Sequence, residues 1–155
     1  MDREVAREKL LNAIVFFVTN TRNCYKLKLF KLLFYFDFGI YRQTGRSVTG
    51  LRYFAWPLGP VPNDLVDELK APRPDFARAV FVHEEGAADP DLPGPRLMIR
   101  GRKKFDETVF TQRELDMLEH LADVFRDATA SMMTEATHLA GEPWHHVFKV
   151  ERRPQ

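Results

Sequence analysis

The residues with donor types for chemistry fall in a few places. His138, Glu142, His145 and His146 form the cluster best suited to a metal ion, and a zinc enzyme would draw its ligands from such a set. Their spacing matches no tight ligand pattern such as His-Glu-x-x-His on one helical face. The simpler reading places His138 at a helix terminus and His145 and His146 on a solvated final helix. Cys24 precedes a helix whose first turns carry Lys26 and Lys28. A helix N-terminus and nearby cations lower a thiol pKa, but no histidine lies near it in sequence. A lone cysteine reads first as a small apolar filler. Asp37 stands inside "LLFYFDFGIY", where an unpaired carboxylate is expensive. It therefore needs a partner, either Arg52 or the backbone of the following turn. No second carboxylate is placed nearby to make an acid/base pair.

Binding chemistry is equally sparse. Gly39, Gly45, Gly50 and Gly59 match neither phosphate-loop spacing. Basic runs occur at Arg100, Arg102, Lys103 and Lys104, and in the tail at Lys149, Arg152 and Arg153. Each run lacks interleaved aromatics, so each reads as a solvated strand end or tail. The sequence thus predicts no catalytic residue, no metal and no cofactor. Two alternatives stand behind a non-enzymatic reading. One is a DNA-binding regulator of its own operon; the weaker is a metal-dependent enzyme at His138, Glu142 and His145.

Composition sets the frame for these residues. The chain has 155 residues, 45% hydrophobic and 29% charged, which predicts one globular domain over 1–155 with a sizeable core. A formal net charge of +1 exerts no global pull on polyanions. With Cys24 as the single cysteine, no intramolecular disulfide can form, which fits a reducing cytoplasm. The opening "MDREVAREKLLNA" is charged throughout and shows no signal-peptide pattern. The run "KLFKLLFYFDFGIY" is interrupted by Lys31 and Asp37 and is too short for a bilayer. A soluble, cytoplasmic protein is expected.

The elements follow from periodicity. Val5, Leu10, Leu11, Ile14, Val15 and Val18 form one stripe of an amphipathic helix over about 2–19. A second helix over about 25–41 is apolar on nearly every side and should be the buried centre of the fold. "RYFAW" reads as a short strand, and the proline-rich segment after it is not expected to join a sheet ladder. Asn63 or Asp64 can cap a short helix to about Leu69. "ARAVFVH" and "PRLMIRG" read as strands, joined by the polar loop "EEGAADPDLPG". Thr111 and Glu114 make a capping box before a long helix ending near Arg126. Thr129 caps a further helix to about His138, with Met132 and Met133 on its apolar side. Gly141 ends it, and Pro143 can open a last short helix. The expected fold is mainly α (α+β): a compact helical domain around a central buried helix, with a two- or three-stranded antiparallel β-element inserted midway.

The segment "KLFKLLFYFDFGIYRQTGRSVTGLRYFAWPLGPVPNDLVDEL" resembles the Panacea domain, the SocA-like antitoxin family. The resemblance rests on an ordered set. Lys31, Leu32, Leu33, Tyr35 and Asp37 lie on the helix; Gly45, Val48, Thr49, Gly50 and Tyr53 follow; then come Gly59, Pro60, Val61 and Pro62. Later, "FTQREL" and "MTEATHLAGEPW" continue the likeness, the second through Thr137, His138, Pro143 and Trp144. It spans about 25–148, with the short basic tail beyond it. Leu51 stands where many members carry an acidic residue, and Phe36 where a smaller one is common.

The resemblance implies a bacterial or phage protein that neutralises a cognate toxin by direct binding, in one type as an adaptor delivering the toxin to a protease. It brings no catalytic residues. A protein-binding surface would draw on aromatics and methionines, and the candidates are Tyr53, Phe54, Trp56, Met132, Met133 and Trp144.

Overall fold

The computed structural model describes residues 2–57, 59–88 and 94–137. Its elements in chain order are α1 (Arg3–Asn20), α2 (Lys26–Thr44), β1 (Tyr53–Trp56), β2 (Gly59–Pro62), α3 (Asn63–Lys70), α4 (Pro74–Ala79), β3 (Val80–Ala88), β4 (Pro95–Gly101), α5 (Gln112–Val124) and α6 (Ala130–Thr137). The architecture is mainly helical with two small antiparallel two-stranded sheets, β1–β2 and β3–β4. Among the described residues no helix is long and apolar enough to cross a membrane.

α2 is the centre, as its all-round apolarity predicts. Leu29, Phe30, Leu32, Leu33 and Phe36 are fully buried, and α1, α5, α6, β2 and β4 all pack on it. It runs one turn past the expected end and stops at Gly45, whose φ of +77° gives the left-handed cap that glycine adopts freely. α1 begins at the Asp2 cap, which accepts from the Glu4 N–H at 2.8 Å. It contributes Ile14 and Phe17 to the core.

Lysines on α2 lie inside rather than on the surface. The Lys28 ammonium is fully buried and donates to the carbonyls of Arg22 (2.9 Å), Arg126 (3.2 Å) and Ala128 (2.7 Å). Burial pulls its pKa down, and three charge-assisted bonds compensate the lost hydration. This one side chain ties the α1–α2 junction to the α5–α6 junction. Lys26 reaches across to the Pro95 carbonyl at 2.8 Å, linking α2 to the start of β4.

Two local expectations are corrected. The proline-rich segment does join a ladder: β2 pairs with β1, with Tyr53 opposite Pro62 and Ala55 opposite Pro60. Pro60 and Pro62 are two residues apart, so their missing N–H groups fall on the same side of the strand. Gly59 and Val61 can therefore supply the ladder donors. The cap expected from Asn63 or Asp64 is absent, because α3 starts at Asn63 after an uncapping Pro62. Instead, Asp64 lies in the first turn, where its charge suits the helix dipole.

"ARAVFVH" divides between two elements. Pro74 opens α4 at its first position and the helix takes up Ala77–Ala79 before β3 begins at Val80. β3 runs to Ala88, deeper into the polar stretch than its composition suggests, with a register irregularity between Glu84 and Ala88. The Thr111–Glu114 capping box is present as expected, and Thr129 accepts from the Met132 N–H at 3.1 Å. Gly141 and Pro143 lie outside the described residues.

An ion network clamps α1 to α3 and α4. Arg7 donates to both oxygens of Glu68 (2.8 and 3.0 Å) and both of Asp75 (2.9 Å each), while Arg73 pairs with Glu68 from the other side. Burial alone would push the Glu68 carboxyl up, but the hydrogen bonds from Arg7 and Arg73 hold it at about 2. The Arg7 bond likewise holds Asp75 at about 2. Carboxyls depressed in the folded state stabilise it above their unfolded values and lose that contribution as pH falls through the folded ones. Arg7→Met should therefore lower the urea midpoint at neutral pH, and the gap to wild type should close as pH drops from about 4.5 towards 2. A gap of equal size at both ends of that range would contradict the clamp.

Candidate functional site

Asp37 sits on the inner face of α2, facing the loop before β1. One carboxylate oxygen accepts from the backbone N–H groups of Val48 (2.8 Å) and Thr49 (2.9 Å). The other accepts from the Thr49 hydroxyl (2.5 Å) and the Tyr53 phenol (2.6 Å). Of the two partners expected, the turn backbone is the one present. Arg52 instead faces Asp64 across 3.5 Å at the exposed surface. Burial pushes the Asp37 carboxyl up, and the four donors oppose that push. Tyr53 is held protonated, its pKa raised by its own burial and by the Asp37 charge. With every donor spent on one carboxylate, this is a structural knot rather than a reacting centre.

The hairpin that Asp37 anchors forms one wall of an apolar cleft of about 440 Å³. Phe30 of α2 forms its floor side, Trp56 and Val61 come from the hairpin, Val66 and Leu69 from α3, and Leu97 from β4. Lys26, Lys70 and Glu84 also line it. Trp56 is partly buried and packs against the core edge. Sequence reasoning singled out Trp56 but not the cleft, because Val66, Leu69 and Leu97 come from elements distant in the chain.

The other surface candidates are distributed differently. Tyr53 packs edge-on against Phe34 at 5.2 Å and turns its hydroxyl inward to Asp37. Phe54 lies partly buried, with the Arg52 guanidinium 6.0 Å from its ring centre. Met132 is 56% exposed, whereas Met133 is fully buried in the core. Trp144, His138, Glu142, His145, His146 and the basic tail lie outside the described residues, and of Thr137 only its place at the end of α6 is described. Cys24 is buried, and burial pushes its thiol up to about 11. Such a thiol is not poised as a nucleophile.

A family model, "Antitoxin SocA-like, Panacea domain", matches residues 29–145. The chain belongs to this SocA-like Panacea family. No curated protein and no solved structure matches it.

The Panacea motif now has physical content. Lys31 is buried, and its ammonium lies 2.8 Å from where a Cβ on Gly59 would stand. At a φ of +129°, Gly59 is required by its backbone conformation, and a side chain there would displace the Lys31 ammonium. Leu33 is core, and Tyr35 stacks on Phe125 at 5.4 Å. Thr49 serves Asp37 twice and also accepts from the Leu51 N–H at 3.2 Å. Of the two departures, Phe36 fills the core edge-on to Phe17 and Phe110, and Leu51 packs partly buried against the core.

Asp37→Asn replaces an acceptor with a donor that meets two hydroxyls or two backbone N–H groups. It should destabilise the protein by about 2–3 kcal/mol in urea denaturation, with Tyr53→Phe costing about 1 kcal/mol. The double variant should cost less than the sum, because both remove the same contact. Additive losses would argue against the knot.

Proposed function

We propose that this Panacea protein is a non-enzymatic, single-domain antitoxin that acts in the cytoplasm by binding a cognate toxin directly. Membership of an antitoxin family over residues 29–145 carries the reading. The surface best suited to the contact is the apolar cleft beside Trp56. An apolar, aromatic-walled recess with charged residues at its margin has the make-up of an interface core and rim. Phe54 and the exposed Met132 extend the set of candidate contacts. Delivery of the captured toxin to a protease belongs to the same reading, since an adaptor needs only a second binding surface on a rigid scaffold.

The test is co-expression with the product of the adjacent gene. The wild-type chain should co-purify with that product and restore growth. Trp56→Ala should leave folding intact and weaken the complex about 30-fold or more, the size of loss seen when a buried tryptophan anchor is truncated. Comparing toxin lifetime with and without the protein separates simple occlusion from delivery to a protease. A chain that neither binds the neighbouring product nor rescues growth would overturn the proposal, and full rescue by Trp56→Ala would move the contact away from the cleft.

A further inference from the structure

The β3–β4 ribbon carries a second surface, on the face opposite the one that lends Glu84 and Leu97 to the cleft. Arg96, Met98 and Arg100 alternate along β4 and so share one face. On β3, Phe81 stands opposite Arg100 and His83 opposite Met98. Tyr25 joins the same face by an antiparallel bridge to Met98. Met98 is buried beneath, while Phe81 is 42% exposed.

Rings and guanidinium groups interleave here in a way the linear sequence hides. The Arg96 guanidinium lies 3.7 Å from the centre of the Tyr25 ring. Phe81 stacks on His83 at 5.2 Å, and the Arg102 guanidinium lies 5.1 Å from the Phe81 ring. Arg100, Lys103 and Lys104 are exposed and make no salt bridge among the described residues. Among the described residues Glu85 is the carboxylate of this face: it accepts from the Tyr25 phenol at 2.9 Å and meets His83 at 3.2 Å. It holds the rings in place and, among the described residues, leaves the flanking cations in excess.

We propose that this face binds single-stranded nucleic acid. Solvated lysines alone would fit any polyanion. Here the same-face cations Arg96 and Arg100 stand about 13 Å apart along β4, beside planar groups on which unpaired bases can stack. Stacking platforms combined with a cationic track are the chemistry that holds single strands without sequence readout. A duplex offers phosphates but no free base faces, so the rings would add nothing to its binding. The surface is separate from Trp56, so it stands independently of toxin binding.

The experiment is fluorescence anisotropy of the whole protein with labelled oligothymidine and oligouridine of about 15 nucleotides, a duplex of equal length, and heparin. Single strands should bind in preference to duplex, with a log–log salt slope of about −2 to −3, as for three or four neutralised phosphates. Phe81→Ala should weaken oligonucleotide binding about 5- to 100-fold while leaving heparin binding unchanged, because one stacking platform is lost and no charge. The paired reversal Arg96→Glu, Arg100→Glu should abolish binding to both. Neither variant should alter growth rescue against the toxin, and circular dichroism checks that both remain folded. No binding at low salt, preference for duplex, or Phe81→Ala binding single strands like wild type would each overturn the proposal.

Discussion

The fold depends on charges carried into its own centre. α2 buries Lys26, Lys28, Lys31 and Asp37 among its leucines and phenylalanines, and a charge so placed destabilises the chain unless another element supplies partners. Each charge therefore dictates where a neighbour must lie. Lys28 gathers carbonyls from the α1–α2 and α5–α6 junctions and so holds the two side by side. Asp37 gathers the turn that launches the β1–β2 hairpin. Hydrophobic burial drives the collapse around α2, and these buried charges select one arrangement from the many that collapse would permit. Neither feature needs a catalytic role to account for its residues.

That economy bears on function. Among the described residues Asp37, Lys28 and Cys24 serve the structure, and what the described residues offer to partners is shape and surface. The Asp37 knot holds the hairpin that carries Trp56, so the cleft wall is set by a core contact rather than by loop flexibility. A rigid recess suits recognition, because less side-chain entropy is lost when a partner docks. The β3–β4 ribbon, tied to α2 through Tyr25 and Lys26, lends Leu97 to the cleft, and its other face has a different chemical character.

Much of the fold was legible because its signals are local. The all-apolar α2, the Asp2-led α1 and the Thr111–Glu114 box each announce themselves within a few residues. The ordered motif from Lys31 to Pro62 was enough to place the family. What escaped sequence reasoning depends on distant residues. Pro60 and Pro62 looked unfit for a ladder until their two-residue spacing met a partner on one side only. Arg7 gives no hint in α1 that it will hold Glu68 and Asp75, which lie more than sixty positions away. The cleft beside Trp56 and the interleaving of Arg100 with Phe81 are products of strand pairing, and composition cannot report them.

Cys24 gives the molecule a built-in reporter. The single thiol is sealed at the α1–α2 junction, beside the Lys28 carbonyl cage, and burial keeps it in the unreactive protonated form. A disulfide reagent can reach it only when that junction opens, so the rate of thiol capture measures the opening itself. Because the junction closes through bonds to both the α1–α2 and α5–α6 loops, that rate reads the integrity of the whole helical frame. The native sequence thus carries its own stability clock, with no added label.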